Sequence, residues 1–395
     1  MNKMANKQKM NLSNGVKNIL IIAGEASSDM HAASLVNKIK SIDPNINFFG
    51  LGGDKMKNAG VSLLHNIVGH AFIGPTGLFK HYFALKKILN SLCDHLNKNI
   101  PDCAILIDYA EFNLRVARHL KSLGVPIIYY ISPQVWAWGL WRINTIEKLI
   151  NKMLVLFKFE EELYKKHGID VSFVGHPVLD MAKPTKDISE TSNELKIDKN
   201  TKVIGMLPGS RESEIKKILP IMLESAKLIL KKLPEKKIRF LLPMASTVKE
   251  SHIKQILDKG GVGVTVVRND TYNALSVCDG AMVASGTATL ETAIIGVPMA
   301  IIYKVNIITY ILTRSVIKLP YIGLVNVVAG EKIVPEFLQY QANPEKISDY
   351  IVNLLEDKAL IENTKKRFLK IKESLGHSEA SAKAAQEVVN FLNNK

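Results

Sequence analysis

Short apolar runs recur at residues 19–23, 103–107, 127–131, 153–157, 203–207, 239–243, 264–267, 281–284 and 298–303, each followed by turn residues and then a segment of helical period. Strand, turn and helix in strict alternation is the pattern of parallel sheets joined by crossover helices, so the chain is predicted to be α/β throughout.

One stretch breaks the pattern. Residues 181–201 (MAKPTKDISETSNELKIDKNT) are polar, contain Pro184 and show no strong period, so they read as a linker. The prediction is then a domain over 15–185, a second over 200–370, and a C-terminal helical segment, 371–395, packing back on one of them. Residues 1–14 are polar and read as a disordered tail. A chain of 395 residues exceeds the usual size of one core. Two doubly wound domains facing a central cleft would bind ligand there, because such sheets take ligands outside the carboxyl ends of their strands.

Composition narrows the setting. Cys93, Cys103 and Cys278 lie far apart, with neither metal spacing nor an even disulfide count. No apolar block of signal-peptide length precedes Gly15, and the longest uncharged apolar stretch, 126–141, falls short of the roughly 20 residues a spanning helix needs. A cytoplasmic protein without a transmembrane helix is expected. The net charge of +15 fits either solubility or an anionic partner, and no nucleic-acid motif accompanies it, so no nucleic acid is expected.

Familiar motifs are missing. The glycines of FFGLGGDKM (48–56) do not fit G-x-G-x-x-G, and there is no P-loop, no G-x-S-x-G, no H-x-x-x-H and no D-x-D to hold a divalent ion.

The candidate chemistry lies in loops after strands. In ASGTATLE, Ser285, Gly286 and Thr287 open a helix whose unpaired N–H groups favour phosphate, although Ser285 or Thr287 could simply cap it. Glu291 does not have capping-box spacing and suits ribose hydroxyls. In LPGSRESEI, Ser210 reads as the N-cap, with Glu212 and Glu214 complementing the dipole. Arg211 runs against the dipole, which a diphosphate would explain and a solvated surface position would explain as well. In the first half, AGEASSD places Glu25, Ser27, Ser28 and Asp29 after the first strand. IDYAEFN places Asp108 at a strand end with Glu111 three residues on, which fits both a capping box and a general base. The segments ISPQVWAWGLW (131–141) and GHAFIGPTGLFKHYFALKKIL (69–89) fit either buried core or a lipid-facing surface.

Taken in order, AGEASSD, FFGLGGDKM, IDYAEFN, YYISPQVWAWG, VGHPVLD, LPGSRESEI, ASGTATLE, GVPMAIIYK and NVVAGEKIVPEFLQ resemble the lipid-A-disaccharide synthase family, family 19 glycosyltransferases of the GT-B fold. The resemblance spans residues 23–339 and implies an inverting transfer from UDP-2,3-diacylglucosamine to 2,3-diacylglucosamine 1-phosphate, giving a β(1→6) disaccharide phosphate and UDP. It implies Asp108 as base and Glu25, Ser27 and Asp29 on the acceptor side. On the UDP side it implies Ser210, Arg211, Ser285, Gly286, Thr287, Glu291, Asn326 and Gln339. It further implies no metal or other cofactor, peripheral attachment to the inner face of the cytoplasmic membrane, and a homodimer with exchanged C-terminal domains. A UDP-N-acetylglucosamine 2-epimerase, a soluble glycosyltransferase or a non-catalytic nucleotide-sugar binding protein are the alternative readings. The chain departs from the family pattern SGD at Ser27-Ser28-Asp29, from APDFN at residues 109–113, and from Pro before Asn at Val325.

Overall fold

The computed structural model describes residues 15–68, 75–244, 248, 250–307, 310 and 319–394. The predicted tail, 1–14, and residues 69–74 of the apolar, lysine-bearing stretch lie outside them. The chain divides into two compact units, one formed by residues up to Pro177 together with Gly376 onward, the other by Val178–Leu375.

The first unit carries β1 (Lys17–Ala23), β2 (Ile46–Gly52), β3 (Ser62–Asn66), β4 (Cys103–Ile107), β5 (Ile127–Tyr130), β6 (Lys152–Val155) and β7 (Val171–Phe173). They form one parallel sheet in the order β3-β2-β1-β4-β5-β6-β7. The second unit carries β8 (Lys202–Leu207), β9 (Ile238–Met244), β10 (Val264–Arg268), β11 (Gly280–Ala284), β12 (Met299–Tyr303) and β13 (Glu336–Leu338), parallel in the order β10-β9-β8-β11-β12-β13. Both are doubly wound, and the order reverses between β1 and β4 in one sheet and between β8 and β11 in the other. Those reversals are where loops diverge and ligands bind in such folds.

Each of the nine apolar runs overlaps a strand, and eight of those strands lie inside a sheet, where parallel strands are covered on both faces. Leu20, Ile22, Leu106 and Tyr129 anchor the first core, and Ile204, Met206, Met282 and Ile302 the second.

Residues 181–201 depart from the linker reading. They belong to the second unit and contain the helix Ile188–Glu194. The buried amide of Asn273 fastens their start: its Oδ1 accepts from the backbone N–H groups of Thr185 and Lys186, and its Nδ2 donates to Thr185 Oγ1. The final helix, Ala380–Asn393, packs on Ala26–Ile42 in the first unit, where Lys17 Nζ donates to the Leu392 carbonyl.

Candidate functional site

Leu207 and Val283 are register partners on β8 and β11, so the loops that follow lie side by side at the reversal of the second sheet. One leads into the helix Glu212–Lys232 and the other into Thr287–Ile295. Both helix starts open on a cavity of about 710 Å³ lined by Gly209, Ser210, Arg211, Ser285, Gly286, Thr287 and Glu291, among others. Two helix N-termini and a guanidinium around one cavity can hold an anion, since each start presents unpaired N–H groups and the positive end of a dipole.

The local geometry corrects two capping expectations. The N-cap of the first helix is Arg211, not Ser210, with extended backbone and no side-chain cap. The Arg211 side chain is 72% exposed and, among the described residues, pairs with the Glu214 carboxylate at 3.3 Å. The N-cap of the second is Gly286, and neither Ser285 nor Thr287 caps it. Ser285 Oγ donates instead to the Ile322 carbonyl at 3.1 Å. Gly286 has φ 152° and ψ −162°, a conformation that L residues rarely adopt, and it leaves the N-terminal turn uncovered by any Cβ.

Glu291 stands one turn inside that helix and is half-buried. Among the described residues its carboxylate accepts no hydrogen bond, and burial pushes its pKa up. A half-buried carboxylate facing a cavity is an acceptor for hydroxyls. Tyr272 is close enough that Glu291, after burial, helps push its phenol up to about 12. Asn269 in the loop after β10 and Tyr272 in the helix Thr271–Ser276 line the same cavity and were missed in the sequence, although the polar block RNDTYN at a strand's carboxyl end was a usable signal.

Two expected donor residues are committed elsewhere. Asn326 is fully buried: its Nδ2 donates to the Val334 carbonyl and Glu336 Oε1, both at 2.9 Å, and its Oδ1 accepts from the N–H groups of Ile333 and Val334. Gln339 is buried and mimics a strand partner, with Oε1 accepting from Val305 N–H and Nε2 donating to the Val305 carbonyl. Neither lines the cavity. Val325 donates its N–H to Thr289 Oγ1 at 3.4 Å.

In the first unit, Ala23 and Ile107 are register partners, so Glu25 and Asp108 follow neighbouring strand ends at the other reversal. The capping-box expectation for Asp108 fails: the N-cap of Ala110–Ser122 is Tyr109, with no side-chain cap, and Glu111 pairs with Arg142. Asp108 and Tyr109 both have left-handed backbone, at φ 48° and 47°, as does β-branched Ile131 at the end of β5, at φ 62°. Such conformations cost about 1–3 kcal/mol each and persist where the surroundings impose them. Here the surroundings are Asn113, whose Nδ2 donates to the Ile107 and Asp108 carbonyls, and Tyr129, whose hydroxyl donates to the Asp108 carbonyl at 2.5 Å. The Asp108 carboxyl is pushed up to about 6 by burial first and the Glu25 charge second, against a hydrogen bond from Tyr109 N–H.

The acceptor-side candidates separate. Glu25, whose charge acts on Asp108, and Ser27 are exposed, whereas Asp29 is buried and accepts from the N–H groups of Gly53, Lys55 and Met56, capping the helix Asp54–Asn58. Asp29 is therefore scaffold. Ser28, where the family has Gly, lies in regular helix and accepts the Glu25 N–H at 2.9 Å. The Tyr109 ring lies against Gly24, where a Cβ would meet it at 2.2 Å.

Sequence reasoning also missed buried Glu160, which accepts from Ser132 Oγ at 2.8 Å, Trp136 Nε1 at 3.0 Å and Phe157 N–H, and so pins the aromatic loop. Burial raises its carboxyl to about 7. Among the described residues no three His, Cys, Asp or Glu side chains gather as a metal site requires.

The family model for lipid-A-disaccharide synthetase matches residues 19–389. A lipid-A-disaccharide synthase of Geobacter sulfurreducens is 41% identical over 374 residues, covering 95% of this chain and 97% of the relative. Solved structures share the fold at low identity. A putative UDP-N-acetylglucosamine 2-epimerase of Listeria monocytogenes superposes with TM-score 0.62 at 12% identity, covering 96% of this chain and 98% of that one. The calicheamicin glycosyltransferase CalG4 gives 0.56 at 12%, covering 96% and 99%. Epimerase and transferase both share the fold, so the likeness speaks for architecture alone.

Proposed function

The chain belongs to the lipid-A-disaccharide synthetase family and is a glycosyltransferase that forms the lipid A disaccharide; from that premise we propose that its donor is UDP-2,3-diacylglucosamine and its acceptor 2,3-diacylglucosamine 1-phosphate.

The observation that carries this reading is the cavity at the reversal of the second sheet. Arg211 and the starts of Glu212–Lys232 and Thr287–Ile295 would meet the diphosphate of UDP, and Glu291, with no hydrogen bond of its own among the described residues, would accept from ribose hydroxyls. In the first unit, Asp108 removes the proton from the acceptor 6-hydroxyl. The oxygen attacks the anomeric carbon as the bond to UDP breaks, and the electron pair leaves with UDP, so one displacement inverts the configuration. A base near pKa 6 is ionised at neutral pH yet basic enough to accept that proton. The charge developing on UDP is met by Arg211 and the two helix starts, and the reaction proceeds without metal.

Acylated substrates place the enzyme on the inner face of the cytoplasmic membrane as a peripheral protein. No described helix is long and apolar enough to cross a membrane, while a charge of +15 favours an anionic surface.

The test is incubation of purified protein with both substrates in chelator, followed by mass spectrometry. Tetraacyl disaccharide phosphate and UDP are expected, and Asp108→Asn should make neither. Folded protein that yields product only when a divalent metal is added back would overturn the metal-free mechanism. No product with any acyl length would overturn the substrate assignment.

A further inference from the structure

A second cluster of chemistry lies apart from both loops described above, on the helix Ala110–Ser122 and the single 3-10 turn Leu140–Arg142. Glu111, Arg115 and Arg118 fall at i, i+4 and i+7, on one face of the helix, where all three are exposed. They line a small cavity of about 170 Å³ with Trp141 and Arg142. By liquid volume that holds about five or six waters, the scale of one phosphate with its first attached carbons.

The turn is built outward. Arg142 is nearly buried, pairs with Glu111, and lies under the Trp141 ring at 4.9 Å from its centroid. The indole is thereby fixed on a seated ion pair and yet is 71% exposed, and Leu140 beside it is 58% exposed. Adjacent exposed Leu and Trp on a rigid turn are not needed by the core, which Ile143 and Ile146 fill from the next helix. Arg118 makes no hydrogen bond or ion pair among the described residues.

We infer that this turn and helix face form a bilayer-docking surface, with Leu140 and Trp141 entering the interfacial region and Arg115, Arg118 and Arg142 surrounding the phosphate of an anionic lipid headgroup. Charge complementarity selects this occupant. Three guanidiniums face one carboxylate, on a chain whose formal charge is +15, and a Trp–Leu tip rimmed by Arg divides its contacts between acyl chains, the glycerol level and phosphate. The inference rests on the peripheral-membrane reading and names the surface that carries it.

The experiment uses the full chain and vesicles of phosphatidylcholine alone or with a third phosphatidylglycerol, measuring cosedimentation and tryptophan emission. Wild type should bind the anionic vesicles with a blue-shifted emission and lose binding as salt rises. Arg118→Glu and Leu140→Ser/Trp141→Ala should each weaken binding about tenfold or more, while Arg118→Glu keeps wild-type turnover on detergent-dispersed substrates. If wild type binds and both variants bind equally well, the docking surface lies elsewhere and the peripheral reading stands. If wild type ignores every vesicle, both fall. A change from dimer to monomer in the Trp141 variant with unchanged vesicle binding would overturn the assignment in favour of a contact between copies of the chain.

Discussion

The side-chain amide of Asn113 donates to the backbone carbonyl of Asp108 at 2.7 Å, and so holds the proposed base by its main chain and leaves its carboxylate available. The same amide donates to the Ile107 carbonyl at 3.1 Å, spanning the junction where the strand ends and the left-handed turn begins. Replacing Asn113 by Ala removes both donors and lets Asp108 and Tyr109 relax from φ near 48°. Turnover should fall tenfold or more with little change in donor KM, alongside a loss of about 1–3 kcal/mol in stability from the unpaired carbonyls. Steady-state kinetics with a thermal melt separates these effects, and a proportional rise in KM would contradict them.

Arg211 offers the opposite signature. Its side chain is mostly exposed and its partner among the described residues, Glu214, is 3.3 Å away, so Arg211→Ala should leave the melting temperature within a degree or two. UDP binding by calorimetry should weaken by about one to two orders of magnitude, the value of a charge-assisted contact to phosphate. Unchanged UDP affinity would remove Arg211 from the anion site.

Gly286 tests backbone rather than charge. A Cβ there meets no atom within 4 Å, yet φ 152° with ψ −162° is poorly accessible to any L residue. Gly286→Ala should cost about 1–3 kcal/mol through conformation alone and, by turning the first N–H groups of Thr287–Ile295, weaken UDP binding. A neutral effect on both would mean that the turn has other acceptable shapes.

What was legible in the sequence follows from locality. Strands shielded on both faces carry uninterrupted apolar runs, and each of the nine such runs overlaps a strand. The strands not foreseen are β2, whose run is broken by Gly50 and Gly52, and β3, β7 and β13, which end their sheets and are short or half-exposed. That Arg211, Ser285–Thr287 and Glu291 line one cavity was legible because a loop between strand and helix is a local feature. The buried hydrogen bonds of Asn326, Gln339 and Asp29 were not, because a polar side chain that satisfies distant backbone groups has the same local sequence appearance as one facing a ligand. Asn113, Tyr129 and Glu160 act across 5, 21 and 28 residues respectively, and no spacing rule announces those pairings.

The burial of Asn326 gives a prediction. Its four hydrogen bonds hold the segment 333–336, and Glu336 in turn accepts from Ile322 and Gly323 N–H. Asn326→Ala should destabilise the second unit by about 3 kcal/mol or more, since several buried backbone groups lose partners together. UDP affinity of the fraction that remains folded should be near wild type at low temperature. A large loss of affinity with an unchanged melt would restore Asn326 to the donor site.

Asp108 links activity and stability with opposite signs. Burial and the Glu25 charge raise its carboxyl from 3.8 to about 6. As a base it acts ionised, so kcat/KM should climb with pH and level off above about 6. Stability runs the other way. A folded-state pKa above the unfolded value means that the folded protein binds the proton more tightly, so this contribution is complete below about 3.8 and is lost as pH rises through about 6. At pH 8 the ionised, half-buried carboxylate beside Glu25 destabilises the fold by about 3 kcal/mol, and Asp108→Asn removes that cost. The variant should therefore be inactive yet melt higher than wild type at pH 8, with the gap narrowing toward pH 5. Retained turnover would dismiss the base role. An inactive variant that melts lower at pH 8 would show that the carboxylate is structurally required and that its raised pKa is not a strain on the fold.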